Sequence, residues 1–202
     1  MKKNILQRGG LAMQINFEET GYVLVPDLID PQTLLVLSKY YEYKIRRGEI
    51  EKEKTDGLNS TSYNYYSDPF GEVLLDVLKS KIEEASGKEL LPTYSFFRVY
   101  QEKEQLIPHV DRESCEISVS INIAHKGENK LWMQYQSNEA SSFLLPAGNA
   151  VVYKGCEAVH WRNPLKENDL VVQLMLHYVD KNGPNSHFVL DQRNQIGEPS
   201  CR

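Results

Sequence analysis

His109 and Asp111 stand two residues apart in the stretch LIPHVDRESCEISVSI, just ahead of a run that alternates apolar and polar side chains. In an extended chain residues i and i+2 project from the same face, so an imidazole and a carboxylate at this spacing can converge on one point. A divalent metal ion is one reading of that point. A histidine hydrogen-bonded to a neighbouring carboxylate, with no ion between them, is the other. The metal reading requires a third ligand from elsewhere in the chain. His125 lies in the turn-like AHKGEN, His187 in the polar NGPNSHFVL, and His177 inside the apolar LVVQLMLHYV, where a core role is the commoner one. His160, in YKGCEAVHWRNP, is the remaining candidate.

Two histidines and one carboxylate on one side of an iron leave three coordination positions open, enough for a bidentate co-substrate and dioxygen. The set His109, Asp111 and His160, with 48 residues between the last two, resembles the metal site of the iron(II)- and 2-oxoglutarate-dependent dioxygenases, in particular their prolyl-hydroxylase-like branch. FFRVYQEKEQLIPHVD is similar to that branch's approach to the motif, in which a tyrosine, here Tyr100, precedes the first histidine by nine residues. LPAGNAVVYKGCEAVH resembles its proline-glycine turn, hydrophobic strand and distal histidine, and EETGYVLVPDLID its N-terminal strand and helix start. The likeness spans residues 17 to 180, with the specific motifs between 96 and 162. It implies a double-stranded β-helix, Fe(II), 2-oxoglutarate and dioxygen, and hydroxylation of an unactivated C–H bond of a small molecule or peptide with release of succinate and carbon dioxide. Related halogenases carry a small residue in place of the carboxylate, so Asp111 favours hydroxylation.

The chain departs from the family pattern where a lysine or arginine for the distal carboxylate of 2-oxoglutarate is usual, nine to eleven residues after the second histidine. Asp169, Leu170 and Val171 occupy those positions. Arg162 is the strongest substitute, because in HWR it shares strand parity with His160 and its planar fork suits a carboxylate. The resemblance assigns Tyr100 a supporting hydrogen bond to the co-substrate. Arg98, on the same strand face as Tyr100, is the reserve. The missing basic residue also keeps two other functions open, a cupin-like metalloprotein with a different reaction, such as an isomerase or a co-substrate-independent dioxygenase, and a non-catalytic binding module.

These residues need a scaffold. After residue 92 short strand-like runs follow one another (TYSFFRVY, CEISVSINIA, KLWMQY, SSFLLP, NAVVYKG, AVHWR, LVVQLMLHYV), separated by turns rich in Gly, Asn and Pro. That pattern predicts a mainly β chain, a jelly-roll core over residues 92–180, with an N-terminal strand and helix region (1–91) packed on its outside and a tail from 181 to 202. In the N-terminal part Tyr22 to Val25 is a short strand. Asp30 and Pro31 start a helix through about Arg47, with Leu34, Leu35, Leu37, Tyr40 and Tyr41 as its buried stripe. The charged RRGEIEKEKTDG is a solvated linker, and a second amphipathic helix runs from Phe70 to Ala85, ending near Gly87. The intervening NSTSYNYYSDP, without helical period, is expected to be a loop. As a lid over the site, residues 59–69 would offer Tyr63, Tyr65 and Tyr66 to a substrate. In CEISVSINIA one face carries Ser118, Ser120 and Asn122, which line either a wet pocket or the outer surface.

The bulk numbers exclude some classes. With 202 residues, 41% hydrophobic, 25% charged and a net charge of -5, the chain fits one globular domain, and no basic surface for nucleic acid is expected. No apolar run long enough for a membrane span or secretory signal opens it, so cytoplasmic residence is expected. Cys115, Cys156 and Cys201 lack CxxC spacing and are expected to be free thiols. Nothing in the sequence indicates an oligomeric state or identifies the substrate.

Overall fold

The computed structural model describes residues 17–54 and 61–194. Cys201, and Asn59 and Ser60 of the expected lid, lie outside them. Eleven strands are formed among the described residues: β1 (Tyr22–Val25), β2 (Lys52–Lys54), β3 (Thr61–Tyr66), β4 (Leu90–Tyr100), β5 (Leu106–His109), β6 (Ile117–Lys126), β7 (Leu131–Gln134), β8 (Ser141–Phe143), β9 (Ala150–Lys154), β10 (Val159–Arg162) and β11 (Leu170–Asp180). Three helices accompany them, the single turn α1 (Phe17–Thr20) and the longer α2 (Pro31–Arg46) and α3 (Pro69–Ser86). The strands make a seven-stranded sheet in the order β1-β9-β6-β11-β4-β3-β2 and a four-stranded sheet in the order β5-β10-β7-β8. Every pairing is antiparallel. The fold is the double-stranded β-helix.

The helices begin and end where backbone chemistry dictates. Asp30 and Asp68 each accept hydrogen bonds from the two or three amides that open α2 and α3, and a proline follows each cap. Gly87 stops α3 at φ 70°, a left-handed conformation that glycine adopts without a Cβ penalty. Leu37 and Tyr41 of α2 and Leu74, Leu75, Leu78 and Ile82 of α3 pack on the outer face of the large sheet, against Phe97, Val99, Ile117, Val119, Ile121, Leu174, Leu176 and Tyr178. Leu35, expected in the buried stripe of α2, is instead 59% exposed. Leu34, Leu37, Tyr40 and Tyr41 of the expected stripe do pack on the core.

Because the helices cover one face of the large sheet, its other face turns inward over the small sheet. This resolves the two readings of β6. Both faces are buried, with the isoleucines and Val119 under the helices and Ser118, Ser120 and Asn122 inside the barrel.

Two expectations are corrected here. The segment expected to be a loop forms β3, paired with β4 through Tyr63↔Val99, Asn64↔Arg98, Tyr65↔Phe97 and Tyr66↔Phe96. The charged run expected to be a linker contains β2, which pairs with β3. Neither strand carries a long apolar alternation; β3 is held by β4, 30 to 36 residues on in the chain, and β2 by β3, and this pairing supplies what the local pattern lacks.

Candidate metal centre and its cavity

β5 and β10 are neighbours in the small sheet, and the register places His109 directly opposite His160. The chain leaves β5 through Val110 and brings Asp111 back beneath the two rings, held by the bond from Asp111 N to the Gly155 carbonyl at 2.8 Å. Asp111 Oδ1 then lies 3.6 Å from His109 Nε2 and 3.5 Å from His160 Nε2. All three ligand atoms fall within 4.8 Å of one another.

The surroundings determine which atoms point inward. His109 Nδ1 is 2.8 Å from the Ile107 carbonyl and His160 Nδ1 is 3.0 Å from the Ala158 carbonyl. A carbonyl can only accept, so each Nδ1 carries a proton, and Nε2 is the ring nitrogen that faces Asp111 and could give its lone pair to a metal. Ser118 Oγ stands 2.9 Å from Asp111 Oδ2, which leaves Oδ1 facing the rings. Burial acts to raise the Asp111 carboxyl, but hydrogen bonds from His109 and His160 and the nearby imidazoles outweigh it and hold the carboxyl far below the usual carboxylate range. Two imidazole Nε2 atoms and an ionised carboxylate oxygen thus face one point, a donor set that fits a divalent metal ion.

A second trio, Asp111, Cys115 and His177, also has ligand atoms within 4.8 Å. Burial pushes the Cys115 thiol up to about 12, so it stays protonated, and His177 Nδ1 is engaged 2.9 Å from Ser118 Oγ. These two residues support the Asp111 side of the first trio. Burial also lowers His177 to about 4, which leaves it neutral near pH 7. His187 is exposed, and His125, at the end of β6 and not in a turn, is exposed beside Asn122.

The trio opens onto a cavity of about 170 Å³ whose walls include Tyr94, Phe96, Arg98 and Tyr100 from β4, Gln173, Met175 and His177 from β11, and Tyr153. Arg162 sits deeper. It lines a narrow pocket with Ser120, Asn122, Asn129 and Phe143 that shares Leu131 and Gln173 with the metal cavity. Its guanidinium donates to the Asn129 carbonyl at 3.1 Å and to Gln173 Oε1 at 3.2 Å, and lies 5.4 Å from the centre of the Tyr100 ring. Its Nε has no hydrogen-bond partner among the described residues. Arg162 is 5% exposed, and burial lowers its pKa. Asn122 turns its amide nitrogen to the Leu145 carbonyl and leaves Oδ1 buried without a partner among the described residues.

The three tyrosines of the expected lid divide by strand parity. Tyr63 and Tyr65 point to the helix side and pack on the core cluster, away from the metal trio. Tyr66 points to the barrel side, 2.5 Å from Asp191 and 4.8 Å from the Tyr94 ring. The residue of β3 that reaches the cavity wall is Asn64, whose side chain accepts from Arg98 Nε at 2.7 Å. Sequence reasoning missed Asn64, Gln173 and Gly155. At Gly155 a Cβ would stand 2.1 Å from the Cys115 carbonyl and 2.8 Å from Asp111 Oδ2, so only glycine allows the chain to pass behind the carboxylate. Parity could have flagged Gln173 as an interior polar residue on an otherwise apolar strand. No local signal marks Gly155.

No family model matches this sequence, and no curated protein does. The fold does have solved counterparts. An oxidoreductase of the 2OG-Fe(II) oxygenase family from Burkholderia pseudomallei superposes with a TM-score of 0.68 over 88% of this chain and 94% of its own, at 18% identity. The alpha-ketoglutarate-dependent epimerase SnoN from nogalamycin biosynthesis gives 0.70 over 94% and 91%, at 12% identity. A prolyl-4-hydroxylase from Pseudomonas putida gives 0.65 over 83% and 96%, at 14% identity. The chain thus has the fold of the non-heme iron, 2-oxoglutarate-dependent oxygenases. Inside that fold it carries a His-Asp-His trio, His160 buried and His109 and Asp111 half-buried, suited to a divalent metal.

Proposed function

We propose that this protein is an iron(II)- and 2-oxoglutarate-dependent oxygenase that hydroxylates a C–H bond of a small-molecule or peptide substrate. The observation that supports it is the convergence of two Nε2 atoms and one carboxylate oxygen at the mouth of a barrel cavity, each aimed by its own second hydrogen bond. His109, Asp111 and His160 would hold the iron. With 2-oxoglutarate and dioxygen, the metal supplies oxidative decarboxylation to succinate and carbon dioxide and the removal of a hydrogen atom from the substrate.

The chain's own residues position the reactants. Arg162 lies two residues from His160 along β10, roughly 7 Å at the rise of an extended strand, a distance that suits the length of 2-oxoglutarate. Its fork would meet the distal carboxylate, with Tyr100 beside it and Gln173 holding the guanidinium in place. A buried guanidinium without a carboxylate partner is costly, and a bound anion removes that cost. Aromatic walls from β4 would help to exclude water once substrate is bound. The fold counterparts include a carbocyclase and an epimerase as well as hydroxylases, so in this fold substrate placement can redirect the outcome.

The test is to load the full chain with Fe(II) without oxygen, titrate 2-oxoglutarate, then admit oxygen and measure succinate. The expected result is one metal and one 2-oxoglutarate per chain with succinate release, all abolished by His160→Ala. Iron binding that survives in His160→Ala would overturn the assignment.

A further inference from the structure

We propose that Arg98 is the group that recognises the primary substrate, and that this substrate carries a carboxylate on an apolar body. The proposal rests on the reading of the metal site given above and names the substrate class of that same site.

Arg98 is 6% exposed and lines the cavity that holds the metal trio, whereas Arg162 lines the narrower pocket behind it. The Arg98 guanidinium lies 5.2 Å from the Phe96 ring centre and 5.5 Å from that of Tyr100. Its Nε donates to Asn64 Oδ1 at 2.7 Å, which fixes the plane of the fork, and Nη1 makes a long contact of 3.4 Å to the Tyr100 hydroxyl. Nη2 makes no hydrogen bond among the described residues, and no ion pair there includes Arg98. Glu104 feels the Arg98 charge, yet its carboxylate is committed to the Gln101 amide at 3.0 Å. A fixed, buried, outward-facing fork of this kind suits a planar anion.

Charge balance separates the two arginines. The charges of iron(II) and Arg162 are matched by those of Asp111 and doubly ionised 2-oxoglutarate. His177 is neutral, and Arg112 at the rim is already paired with Asp191. Arg98 is left as a positive charge in the cavity wall with no ion pair among the described residues, offset only at a distance by Glu104. A monoanion cancels it, while a phosphate dianion overshoots. Apart from the metal trio, Gln173 and His177, the other walls, such as Phe96, Tyr94, Met175 and Leu106, are apolar or aromatic, so the carboxylate should sit on a hydrocarbon or aromatic frame.

The experiment uses the full chain loaded with Fe(II) and 2-oxoglutarate without oxygen. A panel of aliphatic and aromatic monocarboxylates of increasing length, each paired with its neutral amide, is titrated by calorimetry. Wild type is expected to bind at least one acid about tenfold or more above its amide, the gain of a charge-assisted fork. Arg98→Gln should lose that preference while keeping its 2-oxoglutarate affinity. Arg98→Lys, which retains the buried charge and so protects folding, should recover part of it. No acid preferred over its amide anywhere in the panel overturns the proposal. So does a preference that survives in Arg98→Gln, or a 2-oxoglutarate affinity that falls in Arg98→Gln, which would place Arg98 on the co-substrate. Failure of the wild type to bind 2-oxoglutarate counts against the oxygenase reading instead. In that case the acid-against-amide preference, read on the metal-loaded protein alone, still decides whether Arg98 selects a carboxylate.

Discussion

Arg112 and Asp191, 79 residues apart, meet in a two-pronged ion pair of 2.7 and 2.9 Å. Arg112 directly follows the metal-site carboxylate, so a residue beyond the last strand sets the position of the chain at Asp111. Asp191 also accepts from Tyr66, and two residues on, Arg193 is buried against Glu72 at 2.9 Å and the Thr93 carbonyl at 2.7 Å. The segment after residue 180, expected to be a tail, packs against the chain beside the site through Asp191 and Arg193. Asp191→Asn keeps the shape but removes the charge, and it should cost about 1–3 kcal/mol of stability by urea denaturation. Metal affinity should fall with it.

Ser118 lies within hydrogen-bond distance of both Asp111 Oδ2 and His177 Nδ1. Its single proton can go to the carboxylate while the imidazole donates to its oxygen, so it orients the ligand that carries the negative charge. Ser118→Ala should weaken metal binding by roughly 10- to 100-fold, the usual effect of losing a residue that holds a metal ligand in place. Calorimetric metal titration reads it directly, and an unchanged affinity would count against the arrangement.

Arg162→Ala is expected to raise the 2-oxoglutarate requirement by about 10- to 100-fold while leaving metal affinity nearly unchanged. Arg162→Lys should recover only part, since a point charge cannot reproduce the two-pronged fork. A 2-oxoglutarate titration of each variant that matched wild type would remove Arg162 from the co-substrate site.

Tyr65 distinguishes a lid from a wall. Its ring packs on the outer core beneath Lys44, whose Nζ lies 4.3 Å from the ring centre. Tyr65→Ala should destabilise the fold by about 2 kcal/mol, less than a fully buried aromatic because the ring is half-buried. It should leave 2-oxoglutarate affinity unchanged. A change in that affinity without loss of stability would restore the lid.

His177 sets a pH signature for the metal-free protein. Its pKa falls to about 4 in the fold, from an ordinary value near 6.5, because burial disfavours the imidazolium. Between those values the unfolded chain binds the proton and the folded chain does not. The contribution of His177 to stability is therefore constant above about pH 6.5 and declines as pH falls toward 4. His177→Gln should flatten that part of the pH–stability curve, and an identical slope in the variant would refute the assignment.

The sequence by itself determined the elements with strong local signals. The strands from β4 to β11 announce themselves by alternation and turn residues, and α2 and α3 by Asp-Pro starts and a glycine stop. His109, Asp111 and His160 are legible as candidate ligands from the HVD spacing, the setting of the other histidines and the family resemblance of the flanking motifs, all of them local features of the chain. What only the tertiary structure decided depends on contacts between distant segments. β3 is a strand because β4 offers it an edge, and β2 because β3 does, not because their own residues demand it. The inward direction of Ser118, Ser120 and Asn122 follows from which sheet face the helices cover, a choice invisible within one strand. The separate pockets of Arg98 and Arg162, the packing of Gly155 against Asp111 and the clamp of Asp191 on Arg112 each join residues from different strands or loops. Periodicity carries one chain segment's faces, while the partner across a barrel is set by global closure of the sheet.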